Sequence, residues 1–331
     1  MRNANRLRAM LTAAVAVAAM GAISAPAVAQ SGKVWRHGVL NAKSDAGFFL
    51  MAAKRGFDEK EGLKVEITQV KDDQIGLKAL IAGELDSFEG GPQGVISADS
   101  KGADAKIIGC HWVVVPHGIY AREDIKTVAD LKGKSIAVSA PNSMPDMLAR
   151  AALAKYGVSD KDVKLAAVGG DRERYQALVG GVVAAAVVSN EYQPIAPKNV
   201  HLLIAGRDAV PNFLRVCIMS SAKVLAARGD DAVRFLTAEM KALRYAVANK
   251  DATVALTREI THAKADDPRP GFVWDDAVAH HAVDPSLPIP MDKLEWLQQQ
   301  LVKAGKLSKP IDLKIAVAPQ YREKALAAAG K

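Results

Sequence analysis

The chain has 331 residues, half of them hydrophobic and 24% charged, with a formal charge of +8 at neutral pH and only two cysteines. That length buries a sizeable core and suffices for two lobes, and the composition excludes a disordered or fibrous chain. The positive charge is mild and evenly spread, with no Lys/Arg-dense stripe interleaved with aromatics. It therefore reads as solvated surface, and nucleic acid is not expected as a partner.

The first 29 residues carry a basic start (Arg2, Arg6, Arg8), an apolar run from Met10 to Val28, and Ala27-Val28-Ala29 before Gln30. This order is that of a cleavable secretory signal, with cleavage expected after Ala29. A retained membrane anchor is the alternative, and it is disfavoured by Gly21, Pro26 and the small-residue site. No cysteine stands near the cleavage site for a lipid anchor, and Leu7 separates Arg6 from Arg8, unlike a twin-arginine signal. Cleavage removes three Arg and no acid, leaving Gln30–Lys331 with 302 residues and a charge of +5. No later segment is long and apolar enough to cross a bilayer, so the mature protein is expected to be soluble in the periplasm of a Gram-negative-type cell.

Beyond the signal, short apolar runs alternate with helical runs, the rhythm of an α/β protein with mainly parallel sheets. Residues 34–40 predict a strand, 41–47 a loop, and 48–55 a helix closed by Gly56. A strand over 65–70, a helix over 73–82 closed by Gly83, and a short strand over 85–88 follow. Gly90-Gly91-Pro92 then opens a helix that runs to about Ser100, and the long apolar run 105–115 predicts a buried strand. The second set comprises strands at 134–139, 163–168, 184–188, 201–204 and 213–219, with helices at 144–156 and 172–178. Asp230 or Asp231 could cap a helix whose residues Val233, Leu236, Met240, Leu243 and Val247 share one face. No linker rich in Pro or Ser separates two tandem domains, so two lobes packed side by side around a cleft are expected.

Several segments resemble the nitrate/sulfonate/taurine-type solute-binding proteins of ABC importers, within the broader thiamine-pyrimidine-binding superfamily. Gly56-Phe57 through Glu61-Gly62-Leu63, Val65 and Glu66 form the first. Ala82-Gly83-Glu84-Leu85-Asp86 is the second, and Asp130-Leu131-Lys132-Gly133-Lys134 with Ile136-Ala137-Val138 the third. Gly169-Gly170-Asp171 leads to the fourth, Ala177-Leu178 with Ala184-Ala185-Ala186-Val187, where Ala184 replaces the usual acid. The resemblance covers roughly residues 33–250 in matching order. It implies a two-lobed, type II periplasmic-binding-protein fold, with lobes joined by two hinge crossings around a ligand cleft. Lobe 1 is expected from 30–115 and 220–331, and lobe 2 from 116–219. It also implies capture of a small organic solute (a sulfonate or taurine, a pyrimidine precursor or a related acid) by lobe closure and delivery to an inner-membrane permease with its ATPase. A monomer without cofactor or metal is expected. The alternatives are a binding protein feeding a periplasmic sensor and an enzyme akin to pyrimidine synthases, although the cysteine-rich motif of the latter is missing. There is no G-x-S-x-G elbow, and the histidines are scattered, His280-His281 being the one adjacent pair.

Ligands of open α/β sheets bind beyond strand carboxyl ends, where helix N-termini point. Three loops fit: Asn41–Asp45 with Asn41, Ser44 and Asp45; Glu89–Gln93 with Gly90, Gly91 and Pro92; and Ala140–Ser143 with Asn142 and Ser143. Ser143, spaced three residues from Asp146, could instead only cap its helix, as could Asp45, and Gly90-Gly91 could be a plain turn. Glu191 and Tyr192 follow a second-lobe strand, and the carboxylate suits a donor or cation rather than a bare anion. Glu89 points the same way. Trp112 could stack on a planar ligand or serve the core, and Arg215 could pair with an acid on the ligand or with a protein carboxylate. Cys110 and Cys217 could bond if the two crossings run as adjacent strands, or remain small buried residues.

Overall fold

The computed structural model describes residues 34–141 and 143–330. The signal segment and the candidate ligand residue Asn142 lie outside them. Among the described residues, no helix is long and apolar enough to cross a membrane.

Two five-stranded mixed sheets form the frame. The first holds β1 (Trp35–Leu40), β2 (Val65–Val70), β3 (Ser87–Gly90), β4 (Ala105–Trp112) and β10 (Val216–Ser221) in the order β2-β1-β3-β10-β4. The second holds β5 (His117–Arg122), β6 (Ser135–Val138), β7 (Lys164–Ala167), β8 (Ala185–Ser189) and β9 (Val200–Ala205) in the order β7-β6-β8-β5-β9. In each sheet four strands run in one direction, and one strand arriving from the other lobe inserts antiparallel between two of them. The chain therefore crosses between lobes twice, at residues 113–116 and 206–215.

Three boundaries differ from the sequence reading. The apolar run 105–115 is not one strand: β4 stops at Trp112, and β5 starts again at His117 in the other sheet. Pro116 sits in this break, where it cannot donate to a ladder. The last strand begins at Val216 and lies wholly in the first sheet, so a lobe division at 219 would cut through it. Finally, the long helix starts at Ala222 rather than after Asp230. Ser221 caps it by accepting the Val224 N–H at 3.2 Å. Asp231 is instead committed to Arg228, which leaves helical geometry (φ −138°) and also bonds Val34 O and Asp86.

Beyond that kink, Leu236, Met240 and Leu243 are buried, as their spacing requires, with Val233 and Val247 partly so. They join Trp35, Phe48, Trp112 and Phe235 in one core cluster. A second cluster runs from Phe88 and Ile107 through the first crossing to Ile119 and Leu148, so the hinge itself is packed with apolar side chains. The turn after the helix Asp73–Ala82 is set by Gly83 at φ +78°, a left-handed cap that a side chain would strain.

Cys110 and Cys217 are register partners on β4 and β10 and are joined by a disulfide. Of the two possibilities open from sequence, the bonded one holds.

Candidate functional site

A cleft of about 950 Å³ opens between the lobes. From the first lobe it is lined by the loop after β1, including Lys43 and Ser44, and by residues 261–269; from the second, by residues 170–173 and by Glu191, Tyr192 and Ile195.

The second-lobe wall follows from strand ends. β8 ends at Ser189, and the chain turns at once into the short 3-10 helix Asn190–Ile195, which brings Glu191 to the cleft while leaving it only 7% exposed. Tyr192 stacks on Tyr175 with ring centroids 4.5 Å apart. Burial, then the charges of Glu191 and Asp171, push its hydroxyl up to about 12. After β7, Gly169-Gly170 leads into the helix Asp171–Val179, whose first carboxylate is a hub. Asp171 accepts from Arg174 at 2.5 Å and from the Ser189 N–H at 3.2 Å, with His117 Nε2 at 3.4 Å. Burial alone would raise this carboxyl, but His117, Lys43 and Arg174 outweigh it and hold it well below the ordinary carboxylate range.

Two of these second-lobe acids are bonded directly from the first lobe. Ser44 Oγ donates to Glu191 Oε2 at 2.5 Å, with the Ser44 N–H at 3.4 Å, and Lys43 Nζ donates to Asp171 at 3.2 Å. A third bridge lies beside them: Asn190 Nδ2 donates to Asp276 at 2.6 Å, with Arg207 at 3.5 Å from the same carboxylate.

The candidate residues divide accordingly. Ser44, Glu191 and Tyr192 come together in the cleft. Asn41, Asp45 and Arg215 line a small adjoining cavity, where Arg215 Nη2 donates to Asp45 at 2.6 Å. The Asp45 carboxylate is thereby used and makes no cap bond to the following helical turn Ala46–Phe49. Arg215 lies 4.3 Å over the Trp112 ring, and Phe49 stacks on the same indole, so Trp112 is 1% exposed and belongs to the first-lobe core rather than offering an open stacking face. Trp112 Nε1 and Arg215 Nη1 are sealed from solvent without a bonding partner among the described residues.

Gly90, Gly91 and Pro92 are buried inside the first lobe and do not line the cleft. Gly91 N–H donates to Asp73 at 2.8 Å, and a Cβ on Gly90 would stand 2.3 Å from the same carboxylate. The close approach that needs glycine is therefore internal packing. Ser143 caps the helix Met144–Lys155, accepting the Asp146 N–H and donating to Ala140 O at 2.6 Å, and it too lies outside the cleft lining. Glu89 is enclosed in the core. Desolvation would raise it, but His111 at 2.9 Å and His37 at 3.9 Å keep it below its ordinary value.

Sequence reasoning missed Lys43, Asp171, Asn190 and Asp276. Asp171 stood inside a quoted motif, at a helix start behind two glycines, which is signal enough. Asp276 comes from a helix 86 residues beyond its partner Asn190, and no local pattern announces it.

Strand order, two crossings and an inter-lobe cleft define the two-lobed fold of the periplasmic solute-binding proteins. The chain belongs to the NMT1/THI5-like family, whose model matches residues 43–253. The periplasmic aliphatic sulphonate-binding protein SsuA of Escherichia coli superposes with a TM-score of 0.72 at 19% identity, covering 87% of this chain and 92% of that one. The alkanesulfonate-binding SsuA of Xanthomonas axonopodis pv. citri, bound to MOPS, superposes at 0.66 with 20% identity, covering 86% and 98%. The desulfurization enzyme DSZB shares the fold as well, at 0.67 and 17% identity, covering 88% and 99%. A protein of Brucella abortus named as a binding protein is 37% identical over 115 residues, a match that spans 35% of each chain.

Proposed function

We propose that this protein is the periplasmic substrate-binding component of an ABC import system. It captures a small organic solute between its lobes and presents the closed form to an inner-membrane permease driven by its ATPase. The observation that carries this is the pair of contacts Ser44–Glu191 and Lys43–Asp171, which join opposite lobes at the wall of the cleft. A ligand lodged there touches both lobes at once, and its differential affinity for the closed form shifts the equilibrium between open and closed. The sulfonate-binding proteins among the structural neighbours support a small organic ligand, and the disulfide suits an oxidising compartment outside the cytoplasm.

Catalysis is the second reading, because DSZB has the same fold and fold alone does not assign chemistry. It is weakened by the state of the sulfurs: Cys110 and Cys217 are bonded to each other, and neither is a free nucleophile.

The test is a screen of the mature chain against sulfonates, nitrate, pyrimidines, amino acids and aromatic acids. Melting temperature and X-ray scattering are both recorded. A solute that raises the melting temperature by a few degrees and contracts the radius of gyration is the expected outcome. A panel that leaves both unchanged overturns the role.

A further inference from the structure

Resting on the solute-capture role, we infer that the ligand presents a protonated nitrogen to Glu191, and that a bare anion is not the natural occupant. The charge inventory of the cleft carries this. Each cation held within it already has its carboxylate: Lys43 has Asp171, Arg269 has Asp267 through two parallel bonds at 3.0 and 2.6 Å, and Arg215 beneath has Asp45. Arg172 and Lys264 line the rim but stand exposed in solvent, where a charge contributes little to binding.

Glu191 is the reverse case. It is more than nine-tenths buried, and among the described residues no basic nitrogen lies within salt-bridge distance of it; Arg269 acts on it only from further away. One oxygen is taken by Ser44. The other has no bonding partner among the described residues and is not among the atoms sealed from solvent. A buried carboxylate with a free oxygen facing a cavity is costly unless something neutralises it, and a ligand nitrogen is the group with access.

The aromatic beside it fits the same ligand. Tyr192 lines the cleft next to Glu191, and a cation against a tyrosine face is attracted by the ring quadrupole. A free sulfonate or nitrate lodged beside Glu191 faces an uncompensated carboxylate. The spare donors Trp112 Nε1 and Arg215 Nη1 are sealed from solvent. They could serve an acid group only as a second pole of a ligand already anchored by its nitrogen.

The experiment compares matched pairs that differ only in the charged nitrogen: benzylamine with benzyl alcohol, 4-aminobutyrate with butyrate, and taurine with isethionate. Each is titrated calorimetrically into the mature chain and into Glu191→Gln, with Ser44→Ala as a second variant that keeps the charge. Unliganded melting curves establish that both variants fold. The expected result is binding by at least one amine and not by its partner, weakened about tenfold or more by Glu191→Gln and much less by Ser44→Ala. Equal binding within a pair, or an amine indifferent to Glu191→Gln, overturns the inference and leaves solute capture standing. Heat from none of the six compounds overturns the inference, and a failed broad screen beside it would remove solute capture as well.

Discussion

Asp58 is 2% exposed, and neither of its carboxyl oxygens has a bonding partner among the described residues. Desolvation, followed by the charges of Glu59 and Glu61, pushes it up to about 7. Across the interface with the long helix, buried Glu239 is raised well above its ordinary value by desolvation and then by Asp58. A carboxyl raised in the folded state holds a proton that the unfolded chain has released, so stability falls as pH rises from about 4 towards 7. Asp171 and Asp86, both lowered by their cationic partners, act in the opposite sense and lose their contribution on acidification below the ordinary carboxylate range. Stability should therefore peak on the acid side of neutrality. Asp58→Asn should flatten the decline between pH 4 and 7 and stabilise the protein at pH 8 by about 2 kcal/mol. Its ceiling is roughly 4 kcal/mol, from about 1.4 kcal/mol per pH unit between the two ionisation points. Urea titrations of both proteins across that range check this, and an unchanged slope would show that Asp58 does not titrate there. None of this was visible in the sequence, where Asp58 is one of three acids, with Glu59 and Glu61, in a short charged stretch and nothing local marks it as buried. Glu191, by contrast, was legible, because it directly follows an apolar strand.

Single elements reveal a different limit. The helix over 144–155 and its Ser143 cap were readable from local spacing, since capping chemistry spans only three residues. Ser143→Ala should cost about 1 kcal/mol in denaturant unfolding, the usual worth of such a cap. It should leave solute affinity unchanged, and a loss of affinity would show that Ser143 reaches the ligand. Strand β5 went unread because its six residues follow close on a long apolar run, and which sheet a strand joins depends on contacts far along the chain. The pairing of β4 with β10 is such a contact, and with it the disulfide across 107 residues. On the chain-entropy account a loop of that size stabilises by about 5 kcal/mol. Adding reductant should lower the melting temperature of the wild type and leave the Cys110→Ala/Cys217→Ala variant unmoved. Equal effects on both would exclude the bond as the source.

At the scale of the whole molecule, the two-lobed arrangement was legible because alternation of strands and helices is a repeated signal. The meeting of the lobes was not. Lys43 lies 128 residues from Asp171, and Ser44 lies 147 from Glu191, so neither pairing leaves a trace in local pattern. Such separations place recognition where only the folded chain can assemble it. The hinge has a simpler plan. β4 ends two residues after Cys110 and β10 begins one before Cys217, so both crossings leave the first sheet beside one covalent tie. If the lobes close on a solute as proposed, the outer side of these crossings opens as the cleft shuts. A fluorophore attached there would then brighten or dim with occupancy without ever meeting the ligand, and the protein would serve as a gauge of its own solute.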